Sequence, residues 1–188
     1  MEVFIISFLV IAPAEMADKT QLLALLLMSR FRKPLPIIFG MLVALSLSHL
    51  IAALVGDWLG NLLKGNTLHW LVGLSLLGAA VWAFIPDKMG WDQVHQNRGS
   101  MFLTAFTTFF IAEMGDRTQL ATIALAAHYQ SLAAVVIGTT LGIMAANAPA
   151  VILGHATRGR LPLIFVRALS GGLFAFLSMY ELSQVKTF

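Results

Sequence analysis

Cysteine is absent from these 188 residues. That excludes disulfides and thiolate metal ligands, and it leaves the redox compartment unmarked. Charge is scarce: Asp, Glu, Lys and Arg make up 11% of the chain, against roughly 25% in a soluble domain. Neither H-E-x-x-H nor G-x-S-x-G occurs, which removes two familiar catalytic sites and, with them, the intramembrane-enzyme reading. A nucleotide-binding loop is also missing, so ATP is not the expected driving force. The basic residues form no patch, so a net charge of +3 does not point to nucleic acid. The start, Met1-Glu2-Val3-Phe4, lacks the basic region of a cleaved signal peptide, and the first apolar segment is expected to be retained.

What is abundant is apolar: 59% of residues are hydrophobic and the mean hydropathy is +0.84. A helix needs about 20 apolar residues to cross the hydrocarbon of a bilayer. Six candidate spans appear: Val3–Met28, Leu35–Val55, Leu68–Ile85, Ser100–Ala127, Leu132–Leu153 and Leu161–Leu182. The first and fourth are long enough to be tilted or broken. The expected fold is an all-α integral membrane protein, a single transmembrane domain over residues 1–188. Arg30, Arg32, Lys33, Lys88, Arg98, Arg158 and Arg160 fall in links that share one side, while Lys64 and Lys186 lie on the other. The basic side should be cytoplasmic. A multi-pass protein of the cell (inner) membrane with both termini extracytoplasmic is therefore expected.

The charges inside the spans are not scattered. Ala14-Glu15-Met16-Ala17-Asp18-Lys19-Thr20-Gln21-Leu22 returns as Ala112-Glu113-Met114-Gly115-Asp116-Arg117-Thr118-Gln119-Leu120, with seven of nine positions identical. Phe4/Phe102, Gly40/Gly138, Gly56/Gly154 and Gly73/Gly171 keep the same offset of 98 residues. Residues 1–86 and 99–188 then form two three-helix repeats, and an odd number of spans inverts the second relative to the first. Inverted repeats place substrate sites near the bilayer midplane, at the repeat interface.

A charge at the bilayer centre costs at least about 2.5–3.5 kcal/mol, so six such charges imply a use. On a regular helix Glu15 and Asp18 share a face, and Lys19 stands i+4 from Glu15 in the favourable order for a pair. Glu113, Asp116 and Arg117 repeat the pattern. Bringing spans one and four together would gather Glu15, Asp18, Glu113 and Asp116 around one point, an oxygen cage suited to a hard divalent cation. Thr20, Gln21, Thr118 and Gln119 could add neutral oxygens. Thr20 should point away from Glu15, which makes Gln21 the better candidate. Four carboxylates with Lys19 and Arg117 sum to −2, a charge that one divalent cation or two protons would neutralise. Competition between the two for the same oxygens is the physical basis of an antiporter. A purely structural pair of buried bridges would leave Asp18 and Asp116 without a role.

The two segments resemble the E-x-G-D-[KR]-[ST] motifs of the Gdt-type cation/proton antiporter family, which includes Golgi manganese and calcium transporters and bacterial manganese exporters. The resemblance covers the whole chain. Glu113 to Thr118 fits fully, and Ala17 stands where the family usually has glycine. The resemblance implies a secondary transporter that exports a divalent cation, Mn2+ first and Ca2+ next, in exchange for protons. Mn2+ or Ca2+ and H+ are then cargo, and no prosthetic group is expected. The lipid bilayer is the surrounding partner, with a homo-oligomer left open. The alternative, an exporter of amino acids or other small organic solutes, fits the size but not four clustered acids.

Within span two, His49 corresponds to Asn147, and either could line the pathway, His49 as a proton relay. Ser46 and Ser48 read as helix-packing residues. Asp57 and His155 correspond at span ends. Trp58, Trp70, Trp82 and Trp91 suit an interfacial belt. Pro13 and Pro149 can kink helices beside the motif.

Overall fold

A computed structural model describes residues 1–16, 18–85, 100–153 and 163–185. Expectations that rest on Ala17, on the 86–99 link, on His155, Arg158 and Arg160, and on Lys186 lie outside the described residues.

Among the described residues there are eight helices: α1 (Glu2–Glu15), α2 (Lys19–Phe31), α3 (Pro34–Leu62), α4 (Asn66–Trp82), α5 (Met101–Glu113), α6 (Arg117–Tyr129), α7 (Leu132–Leu153) and α8 (Leu163–Ser183). Their limits follow local chemistry. Pro34 opens α3, where its missing N–H costs nothing. Gly65, at φ 63°, turns the chain into α4. Arg32 and Gln130, 98 residues apart, end α2 and α6 in the left-handed conformation, each returning its N–H at 3.0 Å to Met28 O and Ala126 O. These are ordinary left-handed helix ends, made without glycine.

Among the described residues two helices are long and apolar enough to cross a membrane unaided, Pro34–Leu62 and Leu132–Ile152. The first and fourth expected spans are each divided in two at the repeated motif. α3 also runs past the expected Val55, because Trp58, Leu59 and Leu62 continue the apolar run.

Polarity is inverted relative to a soluble globule. Leu9, Phe39, Trp58, Val81, Phe176 and other large apolar side chains are exposed on the outside, while Glu15, Asp18, His49, Glu113 and Asn147 have no accessible surface. Apolar outside and ionisable inside is the arrangement lipid favours.

The packing is reciprocal at the 98-residue offset. A Cβ at Gly40 would stand 2.7 Å from Phe102 O and from Ala105 Cβ; one at Gly138 would stand 2.6 Å from Phe4 O and 2.8 Å from Ser7 Cβ. Residues 4 and 7 are the counterparts of 102 and 105. Gly73 meets Leu182 and Ser178, and Gly171 meets Phe84 and Ala80, again exchanged counterparts. So α1 lies along α7 and α5 along α3, each close enough that only glycine fits at the crossing.

Candidate functional site: two broken helices and three converging carboxylates

Both motifs sit where a helix stops and restarts. Glu15 is the last residue of α1, and Met16 turns the chain out at φ −64°, ψ 129°. Asp18 then caps α2, its Oδ1 accepting from Lys19 N at 2.8 Å. The second copy repeats this. Glu113 ends α5, Met114 is extended, Gly115 takes φ 75°, and Asp116 caps α6 by accepting from Thr118 N at 3.2 Å. Tight turns keep each break bonded: Asp18 N reaches Glu15 O at 3.2 Å, and Asp116 N reaches Glu113 O at 3.1 Å. The spacing E-x-x-D thus places one carboxylate at the end of a half-helix and the next at the electropositive start of its continuation.

The two breaks meet. One carboxylate oxygen from each of Glu15, Glu113 and Asp116 lies within 4.8 Å of the others, all three residues being buried. Asp18, expected as the fourth member, is not in this group; its Oδ1 stands 2.9 Å from Arg117 Nη2. Lys19 Nζ lies 2.7 Å from Asp116 Oδ1. The expected intrahelical pairing of Lys19 with Glu15 therefore gives way to pairing across the repeats, because the break removes the regular i, i+4 spacing. Thr20, expected to point away from Glu15, donates its hydroxyl to Glu113 Oε2 of the other copy at 3.1 Å. Gln21 instead donates to Ala146 O at 3.0 Å.

Thr118 Oγ1 is 3.0 Å from Glu113 Oε1 and 2.9 Å from Asp116 Oδ2. A hydroxyl has one proton, so only one of these carboxylates receives it at a time. Gln119 offers its Oε1 to Gly115 N at 2.9 Å and its Nε2 to Ser48 Oγ. Ser48 is thus a hydrogen-bonding partner and not merely a small packing residue.

His49 and Asn147 both reach the site, from α3 and α7. His49 Nε2 lies 3.4 Å from Glu113 Oε1 and its Nδ1 lies 2.8 Å from Thr122 Oγ1. Asn147 Nδ2 lies 3.4 Å from Glu15 Oε2 and donates to Ile143 O at 3.0 Å. Two buried acceptors, Glu15 Oε1 and Asn147 Oδ1, have no hydrogen-bond partner among the described residues. Two buried oxygens left without a donor beside three carboxylates are chemically suited to a cation.

Two features escape a reading of the sequence. Thr122 is buried against His49, and nothing in the motif marks it. Farther along the bundle, Glu181 of α8 joins His69 of α4 (2.9 Å) and His128 of α6 (2.6 Å). Its counterparts at the 98-residue offset are Ala83, Arg167 and Arg30, so the repeat gives no signal for it.

The sequence profile described as "Divalent cation/proton antiporter GDT1" matches residues 3–91 and 101–187. A Vibrio cholerae protein described as "Putative manganese exporter" is 42% identical over 180 residues, covering 95% of this chain and 90% of that protein. "GDT1-like protein 3" of Oryza sativa is 29% identical over 195 residues, covering 89% of this chain and 69% of that protein. No solved structure matches. With the profile spanning both halves of the chain and both carrying the broken-helix acids, the protein belongs to the GDT1 family of divalent cation/proton antiporters.

Proposed function

We propose that this protein exports Mn2+ from the cytoplasm in exchange for protons, with Ca2+ the second candidate cargo. The observation that carries the reading is the convergence of Glu15, Glu113 and Asp116 at two helix breaks inside an apolar bundle. These three carboxylates hold the cation in turn with protons. Asp18 acts through Arg117, and Lys19 holds Asp116; the two cations bring the four acids to a net −2. Thr20 and Thr118 orient Glu113, while Gln21 and Gln119 tether each break to the opposite repeat. The name given to the Vibrio cholerae relative favours Mn2+.

The fold that serves this is six membrane crossings in two inverted three-helix repeats, residues 1–86 and 99–188. α1–α2 and α5–α6 are the two broken crossings. The reciprocal glycine contacts support a two-fold relation between the halves, and the Lys and Arg distribution supports extracytoplasmic termini in the cell membrane. Half-helix ends at the bilayer midplane are a recurring way to hold ions in transporters of this kind.

The test is reconstitution in liposomes with Mn2+, Ca2+ or Mg2+ on one side and a pH-sensitive dye inside. The expected result is Mn2+ movement coupled to opposite proton movement, lost in Glu113→Gln. Mn2+ flux with no accompanying proton movement would overturn the exchange mechanism.

A further inference from the structure

The two halves of the site differ in the neutral side chain that faces a motif glutamate: α3 supplies His49 where α7 supplies Asn147. The hydrogen bonds around His49 determine which of its nitrogens has a free lone pair. Thr122 donates its hydroxyl proton to Thr118 O at 2.8 Å. It has no second proton to give, so the 2.8 Å contact with His49 is made by the imidazole's Nδ1–H. In the neutral ring that leaves the lone pair on Nε2, directed at Glu113 Oε1, 3.4 Å away. Two lone pairs facing one another in a site without accessible surface need a proton or a metal ion between them. The separation exceeds that of an ordinary N–H···O hydrogen bond, about 2.7–3.2 Å. It is close to the spacing of two adjacent ligands on an octahedral ion, about 3 Å when each ligand stands about 2.1 Å from the metal.

We infer that His49 is a nitrogen ligand of the transported cation, bound through Nε2 beside Glu113, and that it selects a transition-metal cation over Ca2+ and Mg2+. The inference rests on the proposed cation site and adds its selectivity. Ca2+ and Mg2+ bind almost wholly through oxygen, whereas first-row transition ions accept imidazole. An all-carboxylate cage would distinguish these ions chiefly by size. One imidazole adds a preference of kind. Thr122, buried and bonded to both His49 and Thr118, is the positioning residue that keeps Nε2 facing inward, as second partners do for metal-binding histidines. Asn147, at the equivalent place, presents an amide oxygen that has no partner among the described residues. The two halves would thus offer the ion unlike neutral ligands.

The test uses the full-length protein purified in detergent and loaded with Mn2+ alone, in wild type, in His49→Asn and in Glu113→Gln. Pulsed electron paramagnetic resonance of bound Mn2+ reads directly bonded nitrogen, and 15N-histidine labelling assigns it to imidazole. The expected result is a histidine nitrogen coupling in wild type that vanishes in His49→Asn while Mn2+ still binds. The ratio of Mn2+ to Ca2+ affinity should then fall by about tenfold or more. Bound Mn2+ without nitrogen coupling, or coupling that survives in His49→Asn through His69 or His128, overturns the role of His49 and leaves the carboxylate site standing. Failure of wild type to bind Mn2+, or unchanged binding in Glu113→Gln, overturns the proposed cation site and this inference with it.

Discussion

Lys19 reaches across the repeat interface to Asp116, its Nζ 2.7 Å from Oδ1, and Arg117 answers with Asp18 at 2.9 Å. Each repeat therefore neutralises an acid of the other. Asp116 is nearly inaccessible, so removing its cation strands a buried charge, a change that costs about 3–5 kcal/mol in comparable pairs. Lys19→Met is expected to lower thermal stability more than the double variant Lys19→Met/Asp116→Asn. A double-mutant cycle on melting temperature should return a coupling of about 0.5–3 kcal/mol. Simple additivity would show that the pair contributes nothing.

Replacing Glu15, Glu113 or Asp116 by Ala should reduce Mn2+ transport at least about tenfold, with the protein still inserted, since each removes a ligand oxygen. Asp18→Asn should also fail, but by a different route. Its carboxylate lies against Arg117, so purified Asp18→Asn should keep more Mn2+ affinity than Glu113→Gln. Equal loss in binding assays would make Asp18 a ligand in its own right.

Much of this site is legible in the chain alone. The doubled acid motif, the 98-residue offset and the correspondence of His49 with Asn147 are all visible in the residues. The helix breaks are harder to see. Gly115 hints at one, but Met16 carries no breaker chemistry, and periodicity continues smoothly through Thr20 and Gln21. Thr20 shows the consequence: a regular helix aims it away from Glu15, and the restarted helix brings its hydroxyl to Glu113 of the other copy. Thr122 and the Glu181 cluster give no signal because their partners are distant in sequence and absent from the repeat.

The glycine crossings give a stability prediction free of charge effects. Gly40→Ala and Gly138→Ala each force a methyl to within 2.7 Å or less of backbone oxygen, an overpacking worth about 1–3 kcal/mol. Gly78 lies in α4, where an added methyl would meet nothing within 4 Å, so Gly78→Ala should be neutral or stabilising by up to about 1 kcal/mol. Thermal unfolding in detergent should separate the two classes. Similar effects at all three sites would contradict the close packing of α3 on α5 and α1 on α7.

On the proposed mechanism protons and metal compete for the same oxygens, which determines the sign of the pH effect. Acidification fills the carboxylates with protons and must weaken Mn2+ binding. With two protons released per ion, apparent affinity should change by up to about a hundredfold per pH unit on the steep part of the curve. Exchange of one Mn2+ for two protons moves no net charge. Flux should follow the pH gradient and ignore an imposed voltage; a voltage response with intact proton coupling would reject the stoichiometry alone.

A reporter fused after Phe188 should be active only outside the cytoplasm, as the Lys and Arg asymmetry requires. Cytoplasmic activity of that fusion would reverse the proposed orientation.

The glycine crossings also bear on how such a molecule can open. Close contacts join α1 to α7, and α3 to both α5 and α6, so each broken helix pair is packed on a helix from the opposite half of the chain. On this packing the units expected to stay whole during transport are chimeric, one built on α1 with α7 and the other on α3 with α5 and α6. Glu15 and Asn147 belong to the first, Glu113 and His49 to the second. A cation held between them is a bolt across the parting line, and a cross-link placed there should stall the cycle, while one within either unit should leave it free to turn.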